Sequence, residues 1–246
     1  MHQFQIERFA PFDINGIDAS FSNASLFMVA GVAAATLFMT QAMSKKALVP
    51  DRAQAVAEGA YTFIHSMVRD ATGAEGVKKF FPFVFSLFIF IFMANMLGMF
   101  PIFFTTTSQI VVTATLALMV FATVIIVGFA KNGLKFLKLF VPSGVPIAIL
   151  PFVTLIEIIS FFSRPLSHAV RLWANIFAGH VLLKVFASFV PMMAAAGFVG
   201  VLGSILPLGM TVALYALEFL VAFLQAYVFA LLTCIYLNDA LHPGHH

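Results

Sequence analysis

The sequence predicts an all-α integral membrane protein. It has five transmembrane helices and one amphipathic surface helix, and the last two spans are long, kinked and tilted as a hairpin. Three observations predict this. First, 62% of the 246 residues are hydrophobic and 9% are charged, with a mean hydropathy of +1.04. A soluble domain carries roughly 25% charged residues, and a fold of this size exposes too much surface to hide so many apolar side chains. Second, no charged residue and no histidine lies between Lys79 and Lys131. Third, two apolar runs of about 40 residues close the chain, each about 60 Å long as a straight helix, twice the thickness of a hydrocarbon core. Composition excludes a soluble enzyme, a disordered tail and a nucleic-acid binder. The net charge of +3 comes from 13 Lys and Arg against 10 Asp and Glu, too sparse a set for a phosphate-binding face. The single cysteine, Cys234, sits in an apolar run and allows no intrachain disulfide.

Residues 1–25 are mixed, with Glu7, Arg8, Asp13 and Asp18 beside the breakers Pro11 and Gly16. Span one covers 26–44 and stops at Lys45 and Lys46. Its slightly acidic, long leader argues for a retained helix over a cleaved signal, which needs a basic start and a shorter apolar core. Residues 51–72 place Val56, Phe63 and Val68 at helical spacing and Glu58, His65 and Arg69 opposite, the pattern of an amphipathic surface helix. Asp51 is placed to cap it, and Gly73 and Gly76 are expected to end it. The uncharged stretch divides at Gly98, Pro101 and the polar cluster Thr105 to Ser108 into spans 81–100 and 109–130. Lys131, Lys135 and Lys138 follow, then Pro142, Gly144 and Pro146.

The long runs cover 145–187 and 200–237, with a break expected at Pro191 and Ala194 to Gly197, and a tail at 238–246. Each run is a tilted helix, a helix kinked at Pro151, Pro165 or Pro207, or a pair of spans. The tilted, kinked hairpin is preferred, since the second run holds only Glu218 and Gln225 as strongly polar interior residues. All form one membrane domain. Lysines and arginines crowd the loops after span one and after span three, and the loops at 101–108 and 188–199 have none. Positive residues stay in the cytoplasm, so the N-terminus is expected outside and the C-terminus inside.

Advancing 100° per residue from Arg171, the side chains of Glu157, Ser160, Arg164, Ser167, His168 and Asn175 fall within about 60° of one line. His180 lies on the opposite face. Lys184, near the outer end, is expected to snorkel. On the final run Glu218 and Gln225 share a face with Tyr215 and Ala222. An arginine or carboxylate at mid-membrane costs about 2.5–3.5 kcal/mol on insertion scales, and such residues face a bundle interior or a water-filled path. A buried ion pair alone is a poor reason to keep them, because desolvation offsets the Coulomb gain. Histidine and glutamate exchange protons, whereas arginine stays charged. Titratable groups plus one permanent cation are what a proton path with an electrostatic barrier requires. His65 is read as solvated, and His242, His245 and His246 as incidental, with no metal or cofactor expected. The chain has no GxxxxGK[ST] phosphate loop and no repeated half-domain of carrier type, so direct nucleotide binding is not expected. A self-contained secondary transporter and a structural subunit of a respiratory complex remain as alternatives.

The run Ser167-His168-Ala169-Val170-Arg171-Leu172-Trp173-Ala174-Asn175-Ile176 resembles the signature of the a-subunit family of F-type ATP synthases, the membrane stator beside the rotating c ring. The flanking order agrees: Glu157 before the arginine, Gly179-His180 after it, and Glu218 with Gln225 on the final helix. The stretch Asn95 to Pro101 is also similar to a family element near the end of a span. The resemblance covers essentially the whole chain. It implies that Arg171 faces the c-ring carboxylate with Asn175 and Gln225 as polar neighbours. It implies that His180 and Glu218 line the half-channel from the outer aqueous side, and that Glu157 belongs to the half-channel toward the cytoplasm. Ser167, His168 and Tyr215 are supporting polar groups. The expected partners are the c ring, b-type peripheral stalk subunits and membrane lipid, the translocated ion is H+, and the expected location is a bacterial inner membrane. The distribution of His180 and Glu218 between the helices is similar to that of mitochondria and their bacterial relatives.

Overall fold

The computed structural model describes residues 8–10, 13–14, 17–18, 21–44, 49–100, 103–141, 145–146 and 149–242, the first of these up to residue 21 by backbone alone. Four short strands open it. β1 (Arg8–Ala10) pairs antiparallel with β4 (Phe21–Ser22), and β2 (Asp13–Ile14) with β3 (Ile17–Asp18). Lys45, Lys46, Pro101, Pro142, Gly144, His245 and His246 lie outside the described residues.

The helices are α1 (Asn23–Ala42), α2 (Arg52–Gly98), α3 (Ile110–Asn132), α4 (Leu150–Ala194), α5 (Phe198–Gly203) and α6 (Ile205–Leu241). Five stretches are long and apolar enough to cross a membrane, with α5 and α6 counted as one. The Ser22 hydroxyl accepts from the Ser25 amide at the start of α1, and Asp51 accepts from the Gln54 amide at 2.8 Å at the start of α2. α1 buries only Ala24, Gly31, Ala35 and Ala42, a small-residue stripe that lets it approach α2 closely. Its threonines return their hydroxyls to the backbone, as in Thr36 to Val32 O at 2.8 Å, which satisfies a polar group on a lipid-facing surface.

α2 holds two helices joined across a kink, and the amphipathic segment and span two meet at Gly73, whose backbone is not helical. Gly73, at φ 73° and ψ 178°, redirects the chain inside α2, a conformation that favours glycine. Gly76, expected as a terminator, lies within the helix against the Thr72 side chain. The chain after α3 also differs from expectation. Gly133–Phe140 winds into a 3-10 helix that buries Phe136 and Leu139, and Gly128 leaves the space that the Phe136 ring fills. The polar cluster at the turn before α3 forms a 3-10 turn, Thr106–Ser108, and is buried.

The first arm of the hairpin continues through Pro191, and the break falls at Gly197, at φ 86°. Pro191 lies in the last turn of α4, so the bond it forfeits does not stop the helix until the chain reaches Ala195. Pro151 and Pro207 occupy first turns, where the missing N–H has no intrahelical partner anyway, and Pro165 is the deeply interior one. Ser204 separates α5 from α6 in the second arm.

α6 is the central helix, packed on α2, α3 and α4. Ile64, Val84, Ile91, Leu172, Ile176 and Leu237 are among the side chains buried at these contacts. α4 is peripheral, with 11% of its apolar window buried against 44% for α2. One long face of α4 is therefore left without a neighbour among the described residues.

Candidate functional site at the α4–α6 hairpin

Three pairs of side chains set the antiparallel register of the hairpin. At one end His180 Nε2 stands 3.6 Å from Glu218 Oε1. In the middle the His168 ring stacks on Phe229, centroids 4.5 Å apart, with Tyr236 edge-on at 5.2 Å. At the other end Arg164 Nη1 donates to Asp239 Oδ2 at 2.9 Å, its guanidinium 4.8 Å from the Tyr236 ring centre.

The His180–Glu218 pair is enclosed, with side chains 7% and 5% exposed. Gly179 makes the close approach possible, since a Cβ there would stand 2.9 Å from Glu218 Oε1. Neither carboxyl oxygen of Glu218 has a hydrogen bond among the described residues. Thr105 Oγ1 lies 3.5 Å from His180 Nε2. Two further bonds brace α6 against α2: Asn95 Nδ2 donates to Ala222 O at 3.0 Å, and the Tyr215 hydroxyl to Met99 O at 3.3 Å. Lys184, one turn beyond His180, does not snorkel. Its Nζ is buried, and its charge acts on Glu218.

Arg171 belongs to the opposite side of α4. It is exposed, as are Ser160, Ser163, Ser167 and Asn175. Arg171 makes no hydrogen bond or ion pair among the described residues. Glu157 is half-buried on the same helix. At 1.5 Å per residue Arg171 lies about 20 Å from Glu157 and about 13 Å from His180 along the axis. Gln225 is half-buried on α6, level with Asn175 in the hairpin register.

The polar stripe expected on α4 is thus divided. Its exposed part runs through Ser160, Ser167, Arg171 and Asn175, while His168 turns into the α6 contact. His168 lay about 60° from Arg171, at the edge of the stripe, and that edge is where α6 packs. Arg164 is paired with Asp239. Sequence reading missed Asp239 because it placed 238–246 in a tail, whereas α6 continues to Leu241. The available signal was a carboxylate at the end of the second arm, facing an arginine near the start of the first. Thr105 was read as a turn marker, and its contact with His180 had no sequence signal.

Five apolar spans, with a histidine–carboxyl pair sealed between two of them and an arginine left open at lipid depth, define a multi-pass membrane protein of the ion-translocating class. Residues 24–238 match the family described as ATP synthase A chain. The chain is 62% identical over 245 residues to ATP synthase subunit a of Chelativorans sp., covering 100% of this chain and 98% of that protein. It is 60% identical to ATP synthase subunit a 1 of Brucella anthropi, with the same coverage. It is 61% identical to ATP synthase subunit a of Parvibaculum lavamentivorans, covering 94% of that protein. The chain belongs to the ATP synthase A chain family, whose members are non-catalytic, proton-translocating stator components of the membrane sector.

Proposed function

We propose that the chain supplies two offset half-channels and the cation between them, and so couples proton flow to rotation of a c ring. The observation that carries this reading is the open face of Arg171, an exposed guanidinium on the helix surface that makes no hydrogen bond or ion pair among the described residues. A desolvated cation there needs a counter-charge from a partner, and a carboxylate carried past on a ring of helices is such a partner. Protons enter from the outer phase near Glu218 and His180, and one passes to the c-subunit carboxylate held beside Arg171. The neutral carboxyl then moves into lipid at far lower cost than the anion. After nearly a full turn it meets the inner half-channel near Glu157 and releases its proton. Each charge moved gains about 2.3 kcal/mol per 100 mV of membrane potential.

In this reading Asn175 and Gln225 flank the arginine. Ser167 extends the c-ring face, and His168 and Tyr215 hold the hairpin and its α2 contact. The remaining partners are b-type stalk subunits and lipid. The chain lies in the bacterial inner membrane with its N-terminus in the periplasm and its C-terminus in the cytoplasm, a placement supported by the distribution of lysine and arginine.

Cysteine cross-linking tests the assigned face. Ser167→Cys, on the exposed stripe, is expected to form a disulfide with a cysteine near the c-subunit carboxylate. Ala169→Cys, at a buried position, is expected to form none. Equal yields at both positions would remove this face as the ring contact. A second expectation concerns Gly179→Ala. The added methyl displaces Glu218, so proton flux through the reconstituted membrane sector falls about tenfold or more. Flux unchanged from wild type would show that the position of Glu218 is not critical.

A further inference from the structure

We propose that a cavity between the Gly73 kink of α2 and the C-terminal ends of α3 and α6 binds a phosphate group, that of an anionic phospholipid. The site is separate from the proton path. Its volume is about 360 Å³, within the range of small-ligand sites. The non-helical backbone at Gly73 forms part of its wall. The ends of α3 and α6 are tied together beside it, since Asn132 Nδ2 donates to Ala240 O at 2.7 Å.

Two ammoniums from different helices line the cavity, Lys79 from α2 and Lys131 from the last turn of α3. Both residues are exposed, and neither makes an ion pair or hydrogen bond among the described residues. One carboxylate, Glu75, shares the lining. It precedes Lys79 by one helical turn, the spacing of a stabilising pair, yet no ion pair joins them. Two positive charges against one leave an excess of one. That excess matches a phosphodiester and falls short of a phosphate dianion. Asn238 and His242 of α6 add hydrogen-bonding groups, with His242 Nδ1 3.2 Å from Asn238 Oδ1.

The surroundings favour a lipid over a free ion. Phe80 and Leu241 give the cavity a buried apolar lining. Beside Lys131, Phe129 is 43% exposed and Leu134 is 81% exposed. A free phosphate gains nothing from such surface, whereas acyl chains cover it. Lys78, Lys135 and Lys138 lie near the same helix ends. The positive-inside rule assigns this side to the cytoplasm, and basic pockets between spanning helices on that side hold anionic headgroups.

Native mass spectrometry of the purified membrane sector, stripped of lipid and titrated with dioleoyl phosphatidylglycerol, tests this. Lys79→Gln and Lys131→Gln are each expected to weaken binding about fivefold, and the two together about 25-fold. Lys78→Gln, at an exposed position that does not line the cavity, is expected to bind like wild type. Glu75→Gln is expected to tighten binding. Wild-type affinity in the double lysine variant overturns the proposal. So does equal affinity of the wild-type sector for dioleoyl phosphatidylcholine. Release of the lipid by excess inorganic phosphate would give the site to the free ion and overturn the lipid assignment. If the double variant loses b subunits and keeps its lipid, the cavity is a stalk contact and the proposal falls. Should the lysine variants not assemble, Glu75→Gln decides alone, and unchanged binding in it overturns the proposal.

Discussion

Replacing Arg171 by alanine is expected to abolish coupled proton transport while the complex still assembles. The guanidinium is exposed and makes no hydrogen bond or ion pair among the described residues, so its removal leaves no buried acceptor without a partner. Surface substitutions of this kind usually change stability by no more than about 0.5 kcal/mol. Removing a charge from lipid depth even favours insertion by about 2.5–3.5 kcal/mol. Function is expected to respond in the opposite way. Without the cation, nothing compels a carboxylate brought from the ring to stay ionised between the two aqueous paths, and nothing repels a proton from passing straight between them. ATP-driven acidification of inverted vesicles should vanish, and passive leakage should rise or stay level. Co-purification with c and b subunits, at wild-type yield, completes the expected result. A variant that fails to assemble would mean that Arg171 serves structure and that the rotary reading of its open face is mistaken.

Glu218→Gln is the second large effect expected. The amide matches the carboxyl in size, so the enclosed site keeps its packing beside Gly179. What is lost is the ability to take up and release a proton. Proton flux is expected to fall by about a hundredfold or more, the scale on which a positioned acid–base group acts, with thermal stability of the complex nearly unchanged. The stability expectation follows from the geometry. The carboxyl oxygens accept no hydrogen bond among the described residues, and His180 Nε2 stands 3.6 Å away. Wild-type flux in vesicles carrying Glu218→Gln would take this carboxyl off the path. A large drop in stability with modest loss of flux would make the pair a hairpin clasp, comparable to Arg164 with Asp239.

These two residues differ in how far the sequence reveals them. Arg171 and Asn175 share a face by helical period alone, and the same period sets His180 on the opposite one. Each of these placements is local, because it depends only on the rotation between residues of one helix. Asp51 as a cap is local for the same reason. The partner of His180 is another matter. Glu218 lies on a different helix, and only the register of the hairpin brings the two within 3.6 Å. Helical period likewise put His168 on the arginine's stripe, and packing against Phe229 turned it inward. Gly73 is legible as a break in the helix, since a glycine signals freedom of backbone angle, whereas the direction of the helix beyond it depends on what that helix packs against.

By itself the sequence determined the class of protein, its long apolar helices and the angular order of side chains around each of them, because these follow from composition and a fixed period. Only the tertiary structure decided that α6 is central, that one face of α4 stays uncovered among the described residues, and that Thr105, His180 and Glu218 meet. The physical reason is that rotation about one axis orients side chains relative to that axis alone. Which face meets a neighbour, and at what height, is set by side-chain packing between helices distant in sequence.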